Sequence, residues 1–163
     1  MARLLFHVYS EFRLKIISYK FVQIINMNHS LAEGIQKLSM PLVTAKVYGL
    51  NLTFLIDTGS THNIIASFVY KQLQDAFMVT GMSDRMMGVE GQYQDVITVN
   101  ATLEIEGVEL KSDFNVVDMS DAVMKLQDET GLQLHGFLGI PFLMDNKCVL
   151  DFQNQQLIIS EHP

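Results

Sequence analysis

From Leu38 onward, apolar and polar positions alternate over most of the chain, which is the pattern of strands with one buried face. "LVTAKVYGLNLTFLID" alternates, is rich in β-branched residues and breaks at Gly49. It reads as a hairpin whose second arm runs into Asp57. "ASFVYKQLQDAF" carries helical spacing at Phe68, Leu73 and Phe77, so a short helix is predicted after the Asp57 turn. "MMGVEGQYQDVITVNATLEIEGVELKSDFNVVD" reads as consecutive strands, with breaks at Gly88–Gly91 and at Glu106–Gly107. "SDAVMKLQDETG" predicts a second helix, capped at Ser120 and closed by Gly131. "LGIPFLMDN" suggests a helical turn or short helix, and "CVLDFQNQQLIIS" a final hairpin. These elements predict a mainly β, largely antiparallel domain with one or two short helices.

No repeat, low-complexity tract or linker divides residues 29–163, and the chain of 163 residues at 48% hydrophobic is long enough for one packed core. Residues 1–28 differ from the rest. Arg3, Arg13, Lys15 and Lys20 face a single acid, Glu11, within the first 26 residues, and the remainder is correspondingly more acidic. Glu11, Arg13 and Lys15 interrupt the apolar stretch and no small-residue cleavage site follows, which makes a poor signal peptide. Their charges scatter around the helical wheel instead of forming the face of a membrane-surface helix. The stretch is therefore set apart as a basic, apolar N-terminal extension outside the fold, with Met27 as an alternative start.

Charge and cysteine usage exclude several classes. A net charge of −7 supplies no basic stripe for nucleic acid. No window approaches the ~18 apolar residues of a membrane span. The single cysteine, Cys148, rules out an internal disulfide framework and reads as a small buried hydrophobe. A cytoplasmic location fits best, while the extension leaves membrane association or export open. His7, His29, His62, His135 and His162 lack metal-ligand spacing, and no cofactor or metal is implied. His62, five residues after Asp57, reads as a surface or capping histidine more readily than as a site residue.

"FLIDTGSTHNII" holds the candidate chemistry. An aspartate at a strand end is ordinarily a turn residue bonding its own backbone. A bare Asp-Ser/Thr-Gly triplet arises by chance in about one chain in ten from average residue usage. The flanks change the balance. Phe54, Leu55 and Ile56 place the Asp57 carboxyl beside a core, where desolvation opposes ionisation. Thr58 supplies a hydroxyl donor, Gly59 an unhindered N–H, and Ser60 a second hydroxyl. Such a carboxylate suits acid–base work on a bound water. Splitting an amide is better served by two carboxyls sharing one proton. The chain has no second such triplet, because Asp118, Asp121, Asp128 and Asp151 lack the following glycine. The simplest source of a second Asp57 is another copy of the chain across a two-fold axis.

These residues resemble the retropepsin-like aspartic proteases. "LIDTGSTHNII" is similar to their active-site strand and turn, above all to the long-terminal-repeat retrotransposon version. "GFLGIPFLMDNKCVLDF" resembles their later apolar-apolar-Gly segment, here Phe137-Leu138-Gly139-Ile140, and "MMGVEGQY" stands where their flap hairpin falls. The resemblance runs from about Pro41 to Ile159. It implies a closed antiparallel β-barrel, the half of an acid-protease fold, acting as a homodimer on a polypeptide in extended conformation. Asp57 would be catalytic. Thr58 would bond across the dimer, Gly59 would serve carboxylate and substrate, and Ser60 would help orient Asp57. Gly88, Val89, Glu90 and Gly91 would form the flap tip, with Met82, Met86 and Met87 beneath it or packed in the fold. Leu138, Gly139 and Ile140 would be the structural motif that packs against the Asp57 loop. "QQLIIS" is a candidate interface strand or an ordinary edge.

Three functions remain open at this stage. The first is an aspartic endopeptidase favouring acidic to near-neutral pH. The second is a catalytically inactive peptide-binding or dimerisation module of the same fold. The third is an unrelated β-barrel with a chance turn motif.

Overall fold

The structure is a computed structural model that describes residues 22–24, 28–87 and 93–159, with only the backbone described at 81–87 and 93–95. Its elements are α1 (Leu31–Leu38), β1 (Leu42–Val47), β2 (Leu50–Ile56), β3 (Ile64–Ala66), α2 (Ser67–Gln72), β4 (Phe77–Met87), β5 (Tyr93–Ile105), β6 (Val108–Val117), α3 (Ser120–Thr130), β7 (Gly136–Leu138), α4 (Ile140–Asp145), β8 (Cys148–Asp151) and β9 (Gln156–Ile159).

Local chemistry accounts for most of these boundaries. The β1–β2 and β5–β6 hairpins turn at Tyr48–Gly49 and Glu106–Gly107, where all four residues have positive φ. Two-residue hairpin loops need that backbone to match the strand twist, and glycine adopts it without a Cβ penalty. The "SLAE" sequence starts α1 as a capping box: Ser30 Oγ accepts Glu33 N–H, and the Glu33 carboxylate accepts Ser30 N–H.

Two predicted helices differ from expectation in detail. α2 ends at Gln72, a single 3-10 turn covers Gln74–Ala76, and Phe77 already begins β4. The Phe68, Leu73 and Phe77 spacing therefore spans three different conformations, so its helical period was accidental. At α3, Ser120 is the first helical residue rather than the cap. The carboxylate of Asp118 accepts both its N–H and its hydroxyl, which holds the Asp118 carboxyl below its ordinary value. Gly131 closes α3 in the left-handed conformation as expected.

Seven strands form one sheet in the order β1-β2-β7-β3-β6-β5-β4, and a further β1–β5 contact closes six of them into a barrel. Lys46 pairs with Glu104 at that seam, with their side chains 3.0 Å apart. β4 is the seventh strand, outside the ring, and with β5 it makes the hairpin leading to residues 88–92, which lie outside the described residues. β8 and β9 form a separate two-stranded sheet. The core runs down the barrel axis. Phe114 of β6 lies 6.3 Å, ring centre to ring centre, from both Phe54 of β2 and Phe142 of α4, and all three are fully buried. Each tilted pair of this kind adds about 0.5–1.5 kcal/mol beyond the area it buries. Cys148 is half-buried against this core, and burial pushes its thiol up.

The mainly β expectation holds, and so does the closed barrel, with four short helices among the described residues where one or two were expected. Two pairings are parallel, β2–β7 and β3–β6. They flank the Asp57 loop.

Candidate active site

β2 delivers Asp57 to the surface between two elements distant in sequence. The parallel register runs Phe54↔Gly136, Leu55↔Phe137 and Ile56↔Leu138, and Asp57 N–H extends it by donating to Leu138 O at 2.9 Å. β7 is paired on its other side by β3, so it is held between the strands entering and leaving the loop. The position of Asp57 is set by a sheet rather than by a flexible turn.

Within the loop, the Asp57 carbonyl accepts Ser60 N–H at 3.1 Å, and Asp57 Oδ1 accepts Gly59 N–H at 2.9 Å. Among the described residues no other donor or cation reaches the carboxylate, so Oδ2 is open. Asp57 is half-buried, while Thr58 and Gly59 are exposed. The Thr58 hydroxyl has no partner among the described residues. Ser60 engages its own loop: its hydroxyl donates to His62 O at 2.7 Å and accepts His62 N–H at 3.2 Å. Within one chain that hydroxyl bonds His62 and leaves the carboxylate to Gly59.

The later motif packs against this loop closely. Ile140 N–H donates to Ser60 O at 3.0 Å. A Cβ on Gly139 would lie 2.4 Å from His62 O and 2.9 Å from Ser60 O, distances that only glycine avoids. Leu138 is fully buried and Ile140 is partly exposed. The segment Leu138-Gly139-Ile140 therefore meets the Asp57 loop at Gly139 and Ile140. Gly88, Val89, Glu90 and Gly91 lie outside the described residues, and nothing is described of the Met82, Met86 and Met87 side chains.

A residue not singled out from the sequence joins the halves of the site. Asn63 is buried, and its side chain makes four hydrogen bonds. Oδ1 accepts the N–H groups of Gly139 at 2.9 Å and Phe142 at 3.2 Å. Nδ2 donates to Ser112 Oγ at 2.9 Å and to Asp113 O at 3.0 Å. That exhausts what a carboxamide can do. The available signal was a polar residue set directly before the apolar pair Ile64–Ile65, where a solvated turn residue is out of place.

Asn115 forms a second link. Its Oδ1 accepts the Thr98 hydroxyl at 3.0 Å, which turns its Nδ2 toward His62 Nδ1 at 3.4 Å. The Asn115 amide thereby sits against the His62 ring at Nδ1. His62 is half-buried beside the loop.

Among the described residues, no group of three or more His, Cys, Asp or Glu side chains gathers to hold a metal ion, and no helix is long and apolar enough to cross a membrane. A surface hollow of about 570 Å³ lies between Asn28–Glu33 and Gln155–Leu157, and it does not border Asp57.

Two solved structures share the fold. One is the retroviral protease-like domain of Ddi1 from Leishmania major, which superposes with a TM-score of 0.56 at 15% identity, covering 77% of this chain and 92% of that one. The other is EIAV protease complexed with the inhibitor HBY-793, with a TM-score of 0.50 at 19% identity, covering 67% of this chain and 90% of that one. No family model matches the chain, and no curated protein matches it. The fold is retropepsin-like, which removes the reading of an unrelated barrel.

Proposed function

We propose that the chain is an aspartic endopeptidase in which two copies each contribute one Asp57. The observation that carries this reading is the Asp57 loop itself. It presents one half-buried carboxylate with Oδ1 held by Gly59 N–H and Oδ2 open, at the surface of a retropepsin-like fold. A lone carboxylate there cannot act as base and acid together. Two across a two-fold axis share one proton and do both.

In the proposed reaction the ionised carboxylate takes a proton from a water molecule held between the pair. The water oxygen attacks the peptide carbonyl carbon as the protonated partner gives its proton to the carbonyl oxygen. The tetrahedral intermediate then breaks its C–N bond. The nitrogen leaves with a proton from the first carboxyl, and the hydroxyl proton returns to the second, restoring the shared state. No metal or organic cofactor enters.

Thr58, exposed and unpartnered within the described chain, is suited to bond across the two-fold. Gly59 offers its carbonyl to substrate, and Ser60 and His62 brace the loop. The substrate is an extended polypeptide bound largely by main-chain hydrogen bonds. β9 and its partner β8 support the dimer. Val149 and Ile158 face each other across this small sheet and are 55% and 45% exposed, an apolar pair turned outward.

The direct test incubates the purified protein and its Asp57→Asn variant with an unstructured polypeptide between pH 4 and 7. Cleavage by the wild type that vanishes in the variant is the expected result. Equal cleavage by both would remove Asp57 from the mechanism, and peptide binding without hydrolysis at any pH would favour the inactive module.

A further inference from the structure

Val22, Gln23 and Ile24 rest on the barrel, inside the stretch expected to lie outside the fold. Val22 and Ile24 are half-buried and pack against the core, and Gln23 between them is exposed. Their backbone is held from both edges. Gln72, the last residue of α2, donates Nε2 to Val22 O at 2.6 Å and accepts Ile24 N–H on Oε1 at 3.3 Å. Gln133, in the segment leading into β7, donates Nε2 to Gln23 O at 2.9 Å. In an extended chain, the carbonyl of one residue and the N–H two residues on share an edge, and the intervening carbonyl faces the other. Gln72 reads the first edge as a neighbouring strand would, and Gln133 reads the second.

Both amides are fixed by their own surroundings. Gln72 Nε2 also bonds Phe68 O, one turn back in α2, at 3.1 Å. Gln133 is set by His135, which is fully buried. Thr53 N–H can only donate, so His135 Nδ1, 2.8 Å away, is the acceptor and the ring proton sits on Nε2. Nε2 lies 2.9 Å from Gln133 Oε1 and donates to it, which leaves the Gln133 NH2 group to face Gln23 O. A buried histidine tautomer thereby sets the polarity of a surface contact.

We infer that the face between the end of α2 and Gln133 is a built docking site for an extended apolar-x-apolar peptide, filled in cis by Val22–Ile24. Its requirements are aliphatic side chains at positions i and i+2, with free carbonyls at i and i+1 and an N–H at i+2. The site is separate from Asp57. Thr53, its anchor through His135, lies four residues upstream along β2, about 13 Å at 3.3 Å per residue. Among the described residues, the contacts of the fold accordingly reach back to Val22. The inference stands whether or not the chain cleaves peptides.

The test empties the site in the full chain with the double change Val22→Asp and Ile24→Asp, then adds a labelled peptide copying residues 20–26. Binding at least tenfold tighter to this variant than to the wild type, where the site is filled, is expected. Adding Gln72→Ala should weaken it at least tenfold, and a peptide carrying the two aspartates should not bind. Equal binding to wild type and emptied protein, or binding indifferent to Gln72→Ala, overturns the site. Should the emptied variant fail to fold, amide exchange in the full-length wild type decides. The Ile24 N–H should be protected and should lose at least tenfold of that protection in Gln72→Ala, and an unprotected Ile24 refutes the docking.

Discussion

Asn63 and Gly139 are locked together from two directions. The Asn63 carboxamide oxygen accepts Gly139 N–H at 2.9 Å, while the space a Cβ on Gly139 would need is taken by the carbonyls of Ser60 and His62. The residues are far apart in sequence, and their contact fastens the loop after Asp57 to the turn after β7. Asn63→Ala should therefore be costly. It strips the buried N–H groups of Gly139 and Phe142 of their acceptor, at about 1–3 kcal/mol each. The expected loss is roughly 2–5 kcal/mol in chemical denaturation, with peptidase activity falling in parallel. Asn63→Asp keeps both acceptor bonds but sets an oxygen against Asp113 O, so it should fall between wild type and alanine. A loss under about 0.5 kcal/mol for Asn63→Ala, typical of an uninvolved surface position, would refute this role.

The two glycines of the site should respond differently to alanine. At Gly139 the added carbon would meet backbone oxygens at 2.4 and 2.9 Å, and those atoms are held by the sheet. Either the Asp57 loop or the β7–α4 turn must move. At Gly59 the nearest atom is Asp57 Oδ1 at 3.2 Å, the end of a side chain that can give way. Gly139→Ala should lower the melting temperature by several degrees, at about 1–3 kcal/mol for overpacking. Gly59→Ala should leave the melting temperature nearly unchanged while reducing turnover through the displaced carboxylate. Equal melting temperatures for the two variants would count against the close packing of the loop.

How much of this was legible in the chain depends on how local the determinant is. The turns at Gly49 and Gly107 could be read because a two-residue hairpin loop imposes its own backbone requirement. Asp57, Thr58, Gly59 and Ser60 are contiguous, so their chemistry could be weighed without knowing the fold. β3 and β7 are three residues each and carry no usable period. Their parallel pairings exist only because the barrel brings them together. The bonds of Asn63 reach residues 49 to 79 positions away, and nothing in its neighbouring sequence names those partners. α1 announced itself through Ser30 and Glu33, a capping box that the strand pattern beginning after it obscured. Val22–Ile24 were obscured by the charged residues before them, although their own alternation, apolar at 22 and 24, was that of a docked strand.

His135 gives the protein a pH dependence of defined sign. Burial pushes its imidazole down to about 4, and His29 nearby acts in the same direction. The unfolded chain carries a histidine of ordinary pKa, about 6.5. Above that value both states are neutral and the contribution to stability is complete. As pH falls from about 6.5 toward 4, the unfolded state takes up a proton that the folded state refuses, and roughly 3 kcal/mol is lost. Asp118, held low by Ser120, acts in the lower window where its own carboxyl protonates. Denaturation curves at pH 7, 5.5 and 4 for wild type and His135→Gln should converge as pH falls, the wild type losing about 3 kcal/mol more. Parallel curves would show that His135 is not the source. With converging curves, an enzyme active at acidic pH would be working where its own barrel is weakened.

The apolar pair Val149 and Ile158 separates the dimeric reading from a monomeric one. Phe152, at the turn joining their strands, is 60% exposed, so three large apolar side chains share one small hairpin. Ile158→Glu leaves the barrel core untouched and should change monomer stability by less than about 0.5 kcal/mol. It should weaken self-association at least tenfold in sedimentation experiments. Because the proposed site needs two Asp57 residues, specific activity should then fall at low protein concentration and recover as concentration rises, by mass action. Activity that is lost at every concentration would point to damage within the site. Unaltered self-association would place the two-fold elsewhere on the molecule, and a monomeric wild type with full activity would leave the two-carboxylate mechanism without its second acid.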